Sequence, residues 1–194
     1  MTDARSKWDL IYADADAETK PLDALLRFAN LLPSKGTALD LACGRAANAE
    51  FLAQRGLQVS AWDISPVVVA QIQQRFAERD LTVDAQARDV QQQPPEPNSF
   101  DVVVVQNFLV RDLAPHIVDA LRPQGWLIYQ TFVVDKVDSV GPSNPDYLLN
   151  TGELLSMFAA LTPRAYMDFG SSGDRQTGLR NAALLVAQKP AGQH

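Results

Sequence analysis

Acidic and amide side chains follow four of the apolar segments that the sequence predicts to be β-strands. Asp40, Asp63 and Asp89 each end or interrupt such a segment, and Gln106 and Asn107 follow another. In an open parallel sheet, ligands bind beyond the carboxyl ends of the strands, near the point where the strand order reverses. These side chains therefore predict a polar binding site at that edge, although an aspartate there can also cap the following helix.

The spacing between a glycine and an aspartate indicates what this site could bind. Gly44 lies in a turn of small residues, and Asp63 follows it by 19 residues. A carboxylate about 20 residues beyond a glycine turn can accept hydrogen bonds from both hydroxyls of a ribose. Dinucleotide sites use three glycines, whereas Ala42 and Ala46 occupy the other two small positions here, and alanine is not expected to adopt a positive φ. A ligand without a pyrophosphate therefore fits this turn better than NAD.

The elements that must position these residues alternate along the chain. We expect strands at 38–42, 57–62, 81–87, 100–105, 125–132, 165–169 and 179–188. We expect a helix at 22–32, a second that ends at Gly56, a third that begins after an N-cap at Ser65, and two more at 115–121 and 152–161. Residues 91–99, rich in Gln and Pro, are expected to form a loop. This order predicts a doubly wound α/β fold: a mostly parallel seven-stranded sheet with helices on both faces and an antiparallel C-terminal hairpin.

Length and composition narrow the class of protein. The chain has 194 residues, of which 46% are hydrophobic, and this predicts one ordered domain. Its net charge of −6 argues against nucleic acid as a partner. One cysteine and two histidines predict neither a disulfide nor a metal site. Because no apolar run approaches roughly 18 residues and no signal peptide is recognisable, we expect a cytoplasmic protein without a membrane partner.

Two motifs resemble those of a known family. Residues 40–48 (DLACGRAAN) and 59–65 (VSAWDIS) resemble the class I S-adenosylmethionine-dependent methyltransferases, in particular the tellurite-resistance and thiopurine methyltransferase relatives. Segments 8–12, 130–132 and 144–155 are similar to bacterial members. The resemblance covers nearly the whole chain and implies a Rossmann-like methyltransferase fold with S-adenosylmethionine as the cofactor.

The resemblance also implies how the chain is organised. We expect a single methyltransferase domain over residues 1–194. Within it, residues 1–33 would form an N-terminal helical cap and residues 37–132 the cofactor-binding core. Residues 133–194 would supply a lid loop and the C-terminal hairpin.

Specific contacts with the cofactor follow from the same resemblance. The implied cofactor-binding residues are Asp40, Ala42, Cys43, Gly44, Asp63, Ile64, Asp89, Val90, Gln106 and Asn107. The first four would approach the amino-acid part, Asp63 the ribose, the next three the adenine, and the last two the methionine moiety. Ala46 departs from the glycine of the family pattern, which bears on how tightly the cofactor is held. No catalytic residue and no metal ligand is assigned.

The methyl acceptor is expected to be a small molecule. A thiol or a reduced chalcogen anion is nucleophilic once deprotonated, whereas an oxygen or nitrogen acceptor usually needs a general base. The sequence places no histidine well for that task, which favours a thiol or a metalloid-type soft nucleophile. Two alternatives stay open: a non-catalytic S-adenosylmethionine-binding protein and a nicotinamide-dependent oxidoreductase. An oxidoreductase of this kind is expected to have more glycines in residues 40–48.

Two segments are predicted to form a lid over the acceptor site. Residues 133–150 form an 18-residue connection without a regular pattern, and ordering such a loop is expensive unless it has a role. Trp8 and Tyr12 lie one helical turn apart, so both rings could face the same cleft.

Overall fold

The computed structural model describes residues 4–13, 20–79 and 81–192. Its helices are α1 (Ala4–Tyr12), α2 (Asp23–Arg27), α3 (Ala47–Gln54), α4 (Pro66–Glu78), α5 (Ala114–Ala120) and α6 (Glu153–Met157). Its strands are β1 (Thr37–Leu41), β2 (Gln58–Asp63), β3 (Val83–Ala87), β4 (Phe100–Gln106), β5 (Leu121–Phe132), β6 (Thr162–Asp168) and β7 (Ala182–Gln188).

All seven strands belong to one sheet with the order β3-β2-β1-β4-β5-β7-β6. Strands β1 to β5 run parallel, whereas β7 pairs antiparallel with both β5 and β6. The chain winds outward from β1 to β3, then returns to the other side of β1 as β4. The predicted doubly wound sheet with its antiparallel C-terminal hairpin is therefore confirmed, and the strand order reverses between β1 and β4.

The sheet separates two apolar layers. On β1, Leu39 and Leu41 pack in the layer that includes α5 and α6, whereas Ala38 packs in the layer that includes α2, α3 and α4. On β4, Val103 and Val104 likewise belong to opposite layers, because successive side chains of a strand point to opposite faces. Helices therefore cover both faces, and β4 is a central strand, as its apolar run predicts, with all of residues 102–105 buried.

The connection from β3 to β4 contains no helix, as predicted for residues 91–99. Arg88 begins this connection, and its guanidinium lies 3.9 Å from the centre of the Trp62 ring. The same guanidinium donates hydrogen bonds to the carbonyls of Gln93 and Pro94, at 2.8 and 2.7 Å. The Arg88 guanidinium thus stacks on the Trp62 indole and covers it at this part of the sheet.

The fifth strand begins earlier than predicted. Phe100 pairs with Leu121 and Val102 with Trp126, so residues 122–125 bulge out of a continuous β5 instead of forming a turn before it. The bulge is held by Arg122, which donates to the Asp101 carboxylate at 2.7 Å. Strands β3, β6 and β7 differ from the prediction by one to three residues at their ends.

Two helices are shorter than predicted. The helix expected over 22–32 ends at Arg27, and a short 3-10 turn follows because Leu32, which precedes Pro33, must be extended. The helix expected over 152–161 ends at Met157, after which Phe158 and Leu161 turn into the core. Among the described residues, no helix is long and apolar enough to cross a membrane.

Candidate functional site

Three residues of the turn after β1 adopt a positive φ. Ala42, Gly44 and Ala46 have φ values of 54°, 51° and 58°. The expectation that the two alanines would avoid this conformation is therefore wrong. The surrounding structure imposes the left-handed backbone even where a Cβ makes it costly, because Ala46 must begin α3 directly after the turn.

Asp63 connects this turn to the end of β2. One carboxylate oxygen accepts a hydrogen bond from the Gly44 N–H at 2.9 Å, and the other accepts from the Ser65 N–H at 3.0 Å. The side chain is buried, and burial raises the pKa of Asp63 above its usual range. The capping role weighed in the sequence is present, and the carboxylate still lies beside the glycine turn.

Asp40 lies at the end of β1, fully buried beside the start of α3. Its carboxylate accepts from the Ala49 N–H at 3.0 Å and from the Asn48 side-chain amide at 3.5 Å. Burial raises the pKa of Asp40 to about 7. A buried carboxylate held only by neutral donors is a favourable partner for a cationic group such as a ligand ammonium.

Asn48 is a site residue that was not among those predicted. Its amide nitrogen donates to the Gln106 side-chain oxygen at 3.0 Å, and its oxygen accepts from the Leu22 N–H at 2.8 Å. Asn48 thus joins α3 to the end of β4, across the point where the strand order reverses. No local pattern marks it, because its partners are 26 and 58 residues away in the sequence.

Cys43 lies inside the turn and is buried. Its thiol donates to the Gly44 carbonyl at 3.6 Å. Burial, together with the nearby Asp40 and Asp63, raises the pKa of Cys43. The thiol is therefore protonated near neutral pH and is a packing residue of the turn rather than a nucleophile.

The predicted adenine-side residues lie at the ends of β2 and β3. Ile64 is half-buried, and Val90 is buried in the core. Asp89 is half-buried, and one of its carboxylate oxygens accepts from the Gln91 N–H at 3.0 Å. Asp89 thus stabilises the start of the loop to β4.

Asn107 follows directly after β4 at the same edge. It is exposed, adopts a positive φ of 56°, and its N–H donates to the Gln130 carbonyl at 2.9 Å. The bond holds the ends of β4 and β5 together. The structure thus gathers the predicted residues along the carboxyl ends of β1 to β4.

Helix α1 covers the glycine turn. Asp9 accepts from the Ser65 hydroxyl at 2.5 Å, and Gln71 of α4 donates to the Tyr12 carbonyl at 3.0 Å. The Trp8 and Tyr12 rings stack with their centres 5.6 Å apart. A Cβ on Gly44 would lie 3.1 Å from the Tyr12 hydroxyl, so a side chain there would require the Tyr12 ring to shift by a few tenths of an ångström.

Arg111 holds the loop 133–150 from the segment after β4. Its guanidinium pairs with the Glu153 carboxylate at 2.5 Å and donates to the carbonyls of Asp146 and Leu148, each at 2.9 Å. These contacts raise the pKa of Arg111 and lower the pKa of Glu153. The two segments nearest the ends of β4 and β5 are therefore tied to each other.

The loop is also closed at its own ends. The Leu149 N–H donates to the Phe132 carbonyl, and the Val134 N–H donates to the Leu149 carbonyl, both at 2.9 Å. Farther along, the Asn181 side chain accepts from the Val137 N–H at 2.8 Å. The loop is thus held by hydrogen bonds to its own ends and to Asn181.

His116 lies in a separate cavity of about 550 Å³. The cavity is lined by Arg88, the residues from Gln92 to Pro97, and Asp119 of α5. None of the predicted cofactor residues lines it. In the part of the chain that the structure describes, no group of three His, Cys, Asp or Glu side chains is placed to hold a metal ion.

Comparison with known proteins agrees with this geometry. The family described as a methyltransferase domain matches residues 38–125. A ubiquinone biosynthesis O-methyltransferase from Xanthomonas axonopodis pv. citri (strain 306) is 28% identical over 185 residues, covering 89% of this chain and 75% of that protein. The same-named protein of Xanthomonas campestris pv. campestris (strain B100) is 31% identical over 130 residues, covering 61% and 54%.

Solved structures share the fold at low sequence identity. TehB from Haemophilus influenzae has a TM-score of 0.73 and 16% identity, with 94% of this chain and 67% of that chain covered. Geranyl diphosphate C-methyltransferase from Streptomyces coelicolor A3(2) has a TM-score of 0.69 and 14% identity, with 86% and 76% covered. The match over residues 38–125 identifies a methyltransferase domain in this chain, and the similarities to curated and solved proteins support its assignment to the class I S-adenosylmethionine-dependent methyltransferases.

Proposed function

We propose that the protein binds S-adenosylmethionine across the carboxyl ends of β1, β2 and β4 and methylates a small-molecule acceptor. The observation that carries this proposal is the Asp63 carboxylate bonded to the Gly44 turn beside the reversal of strand order. The donors and acceptors present fit the cofactor, because carboxylates can take its ribose hydroxyls and its ammonium group, and amides can take its carboxylate.

Asp63 and Asp40 would take different parts of the cofactor. An ionised carboxylate has about four lone-pair positions, and the Gly44 and Ser65 N–H groups occupy two of those on Asp63. The remaining positions can accept from the ribose hydroxyls. Asp40, whose partners in the protein are neutral, would accept from the ammonium group, and the Ala42–Gly44 turn would lie against the same amino-acid part.

The remaining predicted residues would surround the adenine and the methionine moiety. Half-buried Ile64 offers an apolar surface beside adenine, and Asp89 has a second carboxylate oxygen for the exocyclic amine, with the Val90 N–H beside it. Gln106 and Asn107, at the end of β4, would lie by the methionine moiety.

The protein would contribute orientation and closeness to the reaction. When bound, S-adenosylmethionine supplies a methyl group activated on a cationic sulfonium. The chain holds both ends of that molecule on rigid strand ends, so that an acceptor can attack in line. Helix α1, with Tyr12 over the Gly44 turn, would exclude water from this part of the cleft.

We propose an acceptor whose nucleophile ionises in water without a base from the protein. Among the described residues the one histidine, His116, lines a different cavity, which supports the expected thiol or metalloid anion. The relatives are named O-methyltransferases, which supports an oxygen nucleophile of the same kind. A phenol, with a pKa of about 10, is mostly protonated near neutral pH, so methylation of this oxygen would depend on its small ionised fraction or on a base.

Turnover on a defined panel tests this proposal. Thiols, metalloid oxyanions and phenols would be incubated with the protein and S-adenosylmethionine, and S-adenosylhomocysteine formation measured. We expect product with one of these classes and a reduced rate in Asp63→Ala. Methyl transfer confined to protein or nucleic acid would overturn the assignment of a small-molecule acceptor.

A further inference from the structure

We propose that Asn48 is a positioning residue that fixes the polarity of the subsite for the amino-acid end of the cofactor. The inference rests on the proposed function, since it assumes that this end lies beside Asp40 and Gln106. Asn48 is 3% exposed and its side chain contacts three segments: the residue before α2, the end of β1 and the end of β4.

The orientation of the Asn48 amide follows from its partners. The Leu22 N–H is a backbone group that can only donate, and it lies 2.8 Å from the Asn48 oxygen. The amide oxygen must therefore face Leu22, and the NH₂ group must face the opposite way. There it donates to the Asp40 carboxylate and to the Gln106 side-chain oxygen.

The same logic determines how Gln106 is presented. Because Asn48 offers a donor, Gln106 must turn its oxygen toward it. The NH₂ group of Gln106 is then left to donate elsewhere, and no other group in the described part of the chain accepts from it. Gln106 is half-buried, so this donor is accessible to a ligand.

Asn48 thereby places a hydrogen-bond acceptor and a hydrogen-bond donor on opposite sides of itself, and the ammonium and carboxylate groups of an amino acid need one of each. On one side it supports the negative charge of Asp40, which suits an ammonium group. On the other side it makes Gln106 a donor, which suits a carboxylate. The order of groups, from the Leu22 N–H through Asn48 to Gln106, would orient a zwitterion in one direction only.

Reversing the donor tests this assignment. In Asn48→Asp the side chain still accepts from Leu22, but its ionised form can no longer donate to Gln106 and repels the Asp40 carboxylate. In Gln106→Glu, Asn48 still donates to the side chain at position 106, but the NH₂ group of Gln106 is replaced by an oxygen that can only accept. Asn30→Asp, which adds the same charge at an exposed position, is the control for Asn48→Asp.

Two ligands separate the amino-acid end from the rest of the cofactor. Calorimetry would use S-adenosylhomocysteine and 5′-methylthioadenosine, which lacks the ammonium and carboxylate groups. We expect both variants to bind S-adenosylhomocysteine roughly 10- to 100-fold more weakly, the effect of losing hydrogen bonds to charged groups. Their affinity for 5′-methylthioadenosine, and both affinities of Asn30→Asp, should stay within about two-fold of the wild type.

Each other outcome contradicts the inference. Equal losses for the two ligands would show that Asn48 only supports the fold, and unchanged affinity for S-adenosylhomocysteine would show that the amino-acid end lies elsewhere. Failure of the wild-type protein to bind either ligand would instead overturn the proposed function itself. Unfolding midpoints of the variants would be measured in parallel, to show that the folded protein is being titrated.

Discussion

The backbone N–H of Gly44 donates a 2.9 Å hydrogen bond to the Asp63 carboxylate. This bond joins the turn after β1 to the end of β2, and the Ser65 N–H occupies the other carboxylate oxygen. A carboxylate accepts more than one hydrogen bond per oxygen, so capping the backbone and binding a ribose are compatible roles. Asp63 therefore links the stability of the turn to the proposed binding of the cofactor.

Replacement of Asp63 should affect both properties. We expect Asp63→Ala to weaken S-adenosylhomocysteine binding by roughly 1–3 kcal/mol and to lower the free energy of unfolding by a similar amount, because two backbone donors lose their acceptor. Calorimetry and urea denaturation would measure the two effects. Asp84→Ala, which removes an exposed carboxylate from β3, should change neither. Full affinity in Asp63→Ala would refute the ribose assignment.

Much of the fold could be predicted because its signals are local. The unbroken apolar run of β4 predicted a central strand, and Ser65 followed by Pro66 predicted the start of α4, where the Ser65 hydroxyl accepts from the Val68 N–H. The spacing from Gly44 to Asp63 predicted two residues that the structure brings into contact. Each of these signals lies within one segment or one βαβ unit.

The features that were missed depend on distant contacts. The Asn48 bonds to Leu22 and Gln106 and the Arg111 contacts with residues 146–153 join segments that only the folded chain brings together. The positive φ of Ala46 was missed for a related reason, since tertiary structure overrode the intrinsic preference of alanine.

The left-handed conformation of Ala46 predicts that glycine is well tolerated there. Ala46→Gly should change the free energy of unfolding by less than about 0.5 kcal/mol, because relief of the strained backbone offsets both the entropy that glycine loses on folding and the loss of a buried methyl group. Ala53→Gly, within α3 and without a positive φ, should lower it by about 0.5–1 kcal/mol. Urea denaturation of the pair measures the difference. A larger loss in Ala46→Gly than in Ala53→Gly would show that the positive φ carries no strain.

The raised pKa of Asp40 predicts how cofactor binding depends on pH. If the ammonium group binds the ionised form, and the pKa of Asp40 is about 7 in the free protein, affinity for S-adenosylhomocysteine should rise about ten-fold between about pH 6 and pH 8. Asp40→Asn should bind more weakly and lose this dependence. An equally steep rise in that variant would assign the titration to another group.

The same raised pKa of Asp40 predicts that the free energy of unfolding of the free protein falls, rather than rises, with increasing pH. The Asp40 carboxyl has a higher pKa folded than unfolded, so its contribution is fully present below about pH 4 and is lost as the pH rises to about 7. Asp40→Asn should therefore flatten the decline in the free energy of unfolding across this range. Urea denaturation at intervals of pH would measure it, and an unchanged slope would contradict the assignment to Asp40.

The contacts of Arg111 favour a lid in which only the N-terminal helix α1 changes when the cofactor binds. Because the Arg111 side chain binds residues 146–153, we expect their amides to be protected from hydrogen exchange in the free protein, whereas residues 8–12 gain protection when S-adenosylhomocysteine binds. Arg111→Ala should raise exchange in 146–153 by at least several-fold, and Arg164→Ala, on the edge strand β6, should not. Ligand-dependent protection of 133–150 in the wild type would restore the two-part lid.

The most direct test of the central claim is calorimetric titration of the wild-type protein with S-adenosylmethionine, S-adenosylhomocysteine and NAD. The geometry of Asp40, Gly44 and Asp63 predicts saturable one-to-one binding of the first two and no binding of NAD, because its anionic pyrophosphate would meet the Asp40 and Asp63 carboxylates beside the turn. Binding of NAD without binding of S-adenosylmethionine would contradict the account.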